Sequence, residues 1–164
     1  MEKESVIVLD FGGQYNQLIA RRVRECNVYC EVKPYTMSLE EIKKINPKGI
    51  IFTGGPNSVY AENAPQIDPA VLSMGVPVLG LCYGCQLIAH TLGGKVETAP
   101  AREFGKTATH FNTTSPLFTD LPEEATTWMS HVDYVGKLPE GFESIAHTDH
   151  CPVAAMQNLD KKIF

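Results

Sequence analysis

The stretch Gly80-Leu-Cys-Tyr-Gly84 places a cysteine where an apolar run meets a helical pattern. A glycine stands two residues before Cys82 and another two residues after it, as in the tight strand-to-helix turn that carries the nucleophile of many hydrolases. Longer side chains at those two positions would collide in such a turn. We therefore predict that Cys82 is a nucleophile exposed at the carboxyl end of a strand, where the dipole of the following helix favours the reactive thiolate.

Backbone amides near this cysteine predict an oxyanion hole. The N–H group of Tyr83 directly follows the nucleophile and is placed to bind an oxyanion. The stretch Thr53-Gly-Gly-Pro56 follows another apolar strand pattern, and a bare glycine amide there would supply the second donor. This turn is not a phosphate-binding P-loop, because no Gly-Lys-[Ser/Thr] follows it.

Other interpretations of Cys82 remain open. Free cysteines are among the most buried residues, so a structural role is one alternative. Cys82 and Cys85 also form a Cys-x-x-Cys pair, which is typical of a redox couple or half of a zinc site. A zinc site is the weaker interpretation, because no second Cys-x-x-Cys or Cys/His pair lies nearby. A redox couple would not require the flanking glycines. We favour the nucleophile and interpret Cys85 as a packing residue of the helix.

A cysteine nucleophile also needs a base, which is usually histidine. The histidines of the chain are at positions 90, 110, 131, 147 and 150. His90 lies two helical turns after Cys82 and points away from it, and nothing singles out one of the others. The residues alone thus indicate a nucleophile and an oxyanion hole, but no base.

Strand and helix patterns alternate through the first half of the chain. Strands are predicted at 5–10, 28–33, 49–53 and 76–81, and helices at 15–26, 38–45, 69–74 and from 83 to the glycines at 93 and 94. This alternation predicts an α/β fold, with a flavodoxin-like parallel sheet and helices on both of its faces.

The second half changes character at Lys95. Its segments are short, β-like and separated by turn residues, and they contain no clear helical pattern. We expect an antiparallel extension of the same, mixed sheet, so that 1–164 forms a single domain. The last residues, Lys161–Phe164, have the pattern of another strand opening, and we expect the sequence to be cut short there.

Length and composition are those of a globular domain: 164 residues, 43% hydrophobic and 20% charged, with a net charge of −5. The acidic balance argues against nucleic acid as a main partner. The sequence contains no apolar run of about 18 residues, so we predict no membrane span. The charged first residues do not have the pattern of a signal peptide. The five scattered cysteines, without an export signal, indicate reduced thiols and a cytoplasmic location.

Two groups of motifs connect the chain to a known family. The broader group consists of the stretches 53–56 and 80–86, and the narrower one of 10–24, 54–60, 103–107, 128–131 and 151–155. Taken together, they resemble the class I (triad-type) glutamine amidotransferase domains and, within these, the amidotransferase domains of GMP synthetases. The matching stretches span nearly the whole chain.

The resemblance implies a reaction and roles for particular residues. Cys82 would attack the side-chain amide of glutamine, ammonia would leave, and water would release glutamate from the γ-glutamyl thioester. Gly55 and Tyr83 would donate their N–H groups to the oxyanion, while Gly54 and Gln86 would contact the bound glutamine.

The resemblance also implies that one segment holds the two ends of the amino acid. This segment is Ser130-His131-Val132-Asp133, in which Asp133 would face the ammonium group. The family usually has glycine where this chain has Val132, so the affinity for glutamine is expected to depend on that position.

The catalytic histidine and its orienting glutamate come from a His-Pro-Glu motif in this family. The motif would follow a strand that starts like Lys161–Phe164, and neither residue can be assigned to this chain. We therefore expect the 164-residue chain alone to be nearly inactive.

The implied partner is an ATP-pyrophosphatase domain or subunit that adenylates xanthosine monophosphate and receives the ammonia. ATP and Mg²⁺ belong to that part, and no cofactor or metal is expected in this chain. Arg21, Arg22 and Arg24 could form a docking face, but a solvated helix face is the favoured interpretation.

Two alternative functions stay open at this point. A cysteine hydrolase or stress-type protein of the DJ-1/PfpI kind has a similar elbow, but it would leave the stretches 10–24, 54–60 and 128–131 unexplained. A non-catalytic docking module of a synthetase is suggested by the missing base and by Val132.

Overall fold

The computed structural model describes the backbone of residues 4–164 and the side chains of 4–99 and 103–164. It contains two compact units. The first comprises the described residues up to Ile88 together with Leu159–Ile163, and the second comprises Ala89–Asn158 together with Phe164.

The first unit is built on a parallel sheet. Its elements are β1 (Ser5–Asp10), α1 (Asn16–Glu25), β2 (Tyr29–Pro34), α2 (Leu39–Ile45), β3 (Gly49–Phe52), a 3-10 helix (Pro69–Ser73), β4 (Val78–Gly80) and the larger part of α3 (Tyr83–Thr91). The strands are parallel in the order β2-β1-β3-β4, which confirms the predicted α/β sheet. Ile163 adds a single parallel bridge beside Val78 of β4.

The central strand explains how this sheet is held. Ile7, Val8 and Leu9 of β1 are each at most 1% exposed, because both faces of the strand are covered. Helix α1 packs on one face through Ala20, with Ile19 and Val23 beside it. The topology reverses between β1 and β3, so the carboxyl ends of these two strands form the crevice where α/β folds bind ligands.

Two of the three arginines of α1 form the solvated face that we favoured. Arg21 and Arg22 make exposed ion pairs with Glu25, and such pairs contribute little to stability. Arg24 has a different role, because its guanidinium donates to the Cys30 carbonyl at 3.0 and 2.7 Å. It thereby joins α1 to β2.

The predicted start of α2 is confirmed in detail. The Ser38 hydroxyl accepts from the Glu41 amide at 3.3 Å, and the Glu41 carboxylate accepts from the Ser38 amide at 2.8 Å. The hydrogen bond from the Ser38 backbone, followed by that from its hydroxyl, lowers the pKa of Glu41. This contribution to stability is therefore present above the ordinary glutamate pKa and is lost as the pH falls through the lowered value.

The second unit is an antiparallel sheet of its own. Its strands are β5 (Lys95–Phe111), β6 (Glu124–Lys137), β7 (Glu143–His147) and β8 (Ala155–Gln157), in the order β6-β5-β7-β8. The antiparallel arrangement agrees with the prediction. The prediction that these strands extend the first sheet was wrong, and so was the prediction that all of them are short. Strands β5 and β6 have 17 and 14 residues and form one long hairpin.

The length of this hairpin was hidden by an unusual side-chain pattern. Phe104 and Trp128 are 59% and 75% exposed, whereas Glu103 and Thr109 are buried at 5% and 2%. Polar residues thus lie on the covered face and aromatic residues on the open one, so the alternation used to recognise half-buried strands is partly inverted. No helix occurs in the described residues after Thr91, as expected. None of the helices among residues 4–164 is long and apolar enough to span a membrane.

Candidate functional site

Cys82 occupies a sharp turn between β4 and α3. Its φ is 53°, in the left-handed region that residues other than glycine rarely adopt, and its side chain is exposed. Holding a non-glycine residue in such a conformation costs of order 1–3 kcal/mol and is typical of functional sites. The helix begins at once, because the amide of Gln86 donates to the Cys82 carbonyl at 3.1 Å. The predicted exposed thiol at the tip of an elbow is therefore present.

The two flanking glycines are required by backbone contacts. A Cβ atom on Gly80 would lie 2.7 Å from the Cys85 amide nitrogen, and one on Gly84 would lie 2.5 Å from the Phe52 carbonyl oxygen. Neither backbone atom can move aside without displacing α3 or β3. The steric reason given for these glycines from the sequence holds on both sides of the cysteine.

The glycine turn after β3 lies directly beside the thiol. A Cβ atom on Gly54 would be 3.4 Å from the Cys82 Cβ and 3.9 Å from its Sγ. Within the residues that the structure describes, the amides of Gly55 and Tyr83 donate to no protein acceptor, so both N–H groups are available to an oxyanion.

Tyr83 is anchored so that its amide stays at the elbow. Its ring is 1% exposed, and its hydroxyl donates to the Pro65 carbonyl at 2.5 Å. The ring of Phe11 lies 5.8 Å from that of Tyr83 and 5.4 Å from that of Phe52, which makes a small aromatic cluster beneath the turn. Burial raises the pKa of the Tyr83 phenol, so the group acts as a neutral donor.

The loop after β1 also supports the site, a role that was not recognised in the sequence. A Cβ atom on Gly13 would lie 2.6 Å from the Gly54 carbonyl, and one on Gly55 would lie 2.5 Å from the Phe11 carbonyl. The fully buried Thr53 accepts from the Phe11 amide at 3.0 Å and donates to the Gly54 carbonyl at 3.1 Å. The pair of glycines after β1 could have indicated this role from the sequence, because neighbouring parallel strands end at the same edge of a sheet.

Gln86 and the cysteines differ in how far their side chains are exposed. Gln86, which the resemblance assigns to glutamine binding, is 9% exposed, and Cys85 is half-buried. All five cysteines are free thiols. Cys30 and Cys151 are buried, and burial raises the pKa of both thiols, whereas Cys82 is open to a substrate.

The segment Ser130–Asp133 lies on β6 in the second unit. Ser130 is exposed, and the three residues after it are half-buried. The hydroxyl of Thr98 donates to Asp133 Oδ1 at 3.0 Å. The structure therefore places Cys82, Gly54, Gly55, Tyr83 and Gln86 in the first unit, and the segment in the second.

His131 of this segment belongs to a cluster of possible metal ligands. The ligand atoms of Glu103, His131 and Cys151 lie within 4.8 Å of one another. Glu103 and His131 already share a hydrogen bond of 2.9 Å, and burial, with the nearby Glu103, raises the pKa of the Cys151 thiol. Two of the three side chains are thus joined to each other by a direct hydrogen bond.

The other histidines have their own surroundings. His110 Nδ1 lies 3.3 Å from Glu124, and its ring stacks on His147 at 5.0 Å. His90 is half-buried in α3, and His150 lines an open cavity of about 310 Å³ with Phe104 and Lys106 among its neighbours. These surroundings do not single out a base.

Comparison with known proteins agrees with this geometry. The model of the family described as glutamine amidotransferase class-I matches residues 7–164. GMP synthase [glutamine-hydrolyzing] of Clostridium perfringens is 62% identical over 162 residues, 99% of this chain, and that of Caldicellulosiruptor saccharolyticus is 64% identical over the whole chain. The chain spans 32% of the length of each of these curated relatives.

Solved structures show the same architecture. A protein from Thermoplasma acidophilum, described as a subunit of GMP synthase, superposes with a TM-score of 0.83 at 29% identity, covering 99% of this chain and 82% of the other. A glutamine amidotransferase from Thermotoga maritima superposes with a TM-score of 0.77 at 18% identity, covering 99% and 74%, which shows the shared fold. With the elbow, the free amides and the family match over residues 7–164, the chain belongs to the class-I glutamine amidotransferases.

Proposed function

We propose that this chain is the glutamine-hydrolysing part of a GMP synthetase and supplies ammonia for the amination of xanthosine monophosphate. The observation that carries the proposal is the exposed Cys82 thiol, held at φ 53° beside Gly54 and two amides that have no acceptor among the described residues. The curated relatives, which are matched over essentially the whole chain, support this choice among the amidotransferases.

The chemistry follows from the geometry of the elbow. The Cys82 sulfur attacks the side-chain carbonyl carbon of glutamine, and the electron pair of the carbonyl moves to the oxygen. The amides of Gly55 and Tyr83 donate to that oxyanion. When the tetrahedral intermediate collapses, the C–N bond breaks and ammonia leaves with an added proton, and water then hydrolyses the thioester to glutamate. The proton carrier belongs to the His-Pro-Glu motif of the family and is not assigned to a residue of this chain.

Recognition of the amino acid is assigned to two places. Gln86 contacts the bound glutamine from α3, and the segment Ser130–Asp133 holds its α-amino and α-carboxylate groups, with Asp133 opposite the ammonium. A charge opposite the ammonium distinguishes glutamine from other amides. Val132, where the family usually has glycine, leaves less room for close backbone approach.

The partner in this proposal is an ATP-pyrophosphatase domain or subunit. ATP and Mg²⁺ act in that part, and no cofactor is assigned to this chain. The five free thiols support a reducing compartment, and we propose the cytoplasm.

The experiment that tests the function uses the whole enzyme that carries this chain. GMP formation from xanthosine monophosphate and ATP is measured with glutamine or with ammonium chloride as nitrogen source, and glutamate is measured alongside. We expect both sources to support GMP formation, and glutamate to appear only with glutamine. An enzyme that uses ammonium but releases no glutamate from glutamine would instead indicate a docking module.

Glycine at position 54 is expected to matter for catalysis more than for folding. In Gly54→Ala the added methyl makes ordinary contacts with Cys82, at 3.4 Å from Cβ and 3.9 Å from Sγ, so the elbow can form. The methyl occupies space through which the amide must approach, and we expect kcat/KM for glutamine to fall about 10- to 100-fold. Ammonium-supported GMP formation is the control and should not change. A kcat/KM within twofold of wild type would contradict the placement of the substrate beside Gly54.

A further inference from the structure

The strand that carries the segment Ser130–Asp133 faces an irregularity in its partner. Thr98 of β5 pairs with Asp133, and Glu103 pairs with His131. Between these two pairs β5 advances by five residues and β6 by two, so the register shifts by three residues. Bulges of this kind interrupt the regular hydrogen bonds between strands and are common next to active sites, where they redirect the chain.

Side-chain contacts bridge the two strands on either side of this bulge. On one side the Thr98 hydroxyl donates to Asp133 Oδ1 at 3.0 Å, at an exposed position. On the other side Glu103 Oε2 and His131 Nε2 share a hydrogen bond of 2.9 Å, with side chains only 4% and 15% exposed. The second bridge is shielded from water, so it is the more rigid of the two.

Glu103 also has a second side-chain partner. The Thr148 hydroxyl donates to Glu103 Oε1 at 2.6 Å, and the same hydroxyl accepts from the amide of Cys151 at 2.9 Å. One buried carboxyl group thus connects β5, β6 and the turn 148–151. A buried carboxyl is costly unless both of its oxygens have partners, and here both do.

We propose that Glu103 is a positioning residue for glutamine recognition. It fixes the ring of His131, and through it the backbone of Ser130–Asp133, next to the point where the register of the two strands shifts. Glu103 does not touch the substrate, and its effect passes through His131. The inference rests on the proposed function, because it assumes that the segment Ser130–Asp133 binds glutamine.

The test compares two glutamate variants on the same strand of the whole enzyme. Glu103→Gln keeps the shape of the side chain but weakens its contact with His131, and we expect KM for glutamine to rise about tenfold while kcat changes less than threefold. Glu97→Gln is the matched control. Glu97 also accepts a cross-strand hydrogen bond, from Tyr134 at 3.2 Å, but it is exposed, and KM should stay at the wild-type value.

A second variant keeps the inference testable if Glu103→Gln does not fold. Thr148→Val removes the hydroxyl that holds Glu103 and should raise KM in the same direction by a smaller factor, with ammonium-supported GMP formation unchanged in every variant. Wild-type KM in either folded variant, or an equal loss of kcat and ammonium-supported activity, would overturn the positioning role. A wild-type enzyme that does not hydrolyse glutamine would refute the proposed function itself, which is a distinguishable result.

Discussion

Replacing Cys82 by alanine is expected to abolish glutamine hydrolysis, because no thioester can form. The rate of glutamate release should fall at least about 10⁴-fold. GMP formation supported by ammonium should continue at the wild-type rate, since that reaction bypasses the thiol. Both rates are measured on the same preparation of the whole enzyme, with glutamate release as the readout of hydrolysis.

Cys26 provides the matched control for this substitution. It is also an exposed free thiol of the first unit, but it follows the C-terminal end of α1 and is not part of a strand-to-helix elbow. Cys26→Ala should therefore hydrolyse glutamine like wild type. Retained hydrolysis in Cys82→Ala would remove this sulfur from the mechanism, whatever the geometry of the elbow.

Replacing Gly84 by alanine is expected to disrupt the elbow itself. The new Cβ would lie 2.5 Å from the Phe52 carbonyl oxygen and 2.6 Å from its Cβ, and the backbone oxygen belongs to a central strand that cannot yield. Overpacking against fixed backbone should destabilise this region by about 3 kcal/mol. Hydrogen exchange of the peptides from β3 and α3 should then be about 10²-fold faster, and glutamine hydrolysis should be lost.

Gly49, in the same strand as Phe52, tests whether the effect is specific. A Cβ there would lie 3.4 Å from Val6 Cγ2 and 3.9 Å from the Pro77 carbonyl, which are ordinary contacts. Gly49→Ala should change exchange less than about threefold. Equal exchange rates in the two variants would mean that the tight packing at Gly84 does not determine the turn.

The parts of this structure that could be predicted from the sequence have local causes. Strand β1 was predicted with the bounds observed, because its apolar run ends at a pair of glycines. The elbow was predicted because steric exclusion on both sides of Cys82 leaves a spacing of glycines that can be read directly. The capping box of α2 is likewise contained within four residues.

The parts that could not be predicted depend on contacts between distant stretches. The support of Gly54 by Gly13 and Phe11 becomes visible only when two parallel strands are adjacent. The link from Glu103 to His131 depends on the register of a long hairpin, and its bulge shifts the pairing by several residues. A charged residue on the covered face and an exposed Trp128 contradict simple alternation, so the separate second sheet was missed.

The most direct test is covalent labelling of the whole enzyme with a glutamine-like diazoketone, followed by peptide mapping. We predict that the reagent alkylates Cys82 alone among the five thiols, and that glutamine in excess prevents the reaction while asparagine does not. Labelling of another cysteine in its place, or labelling of Cys82 that glutamine does not slow, would contradict the account.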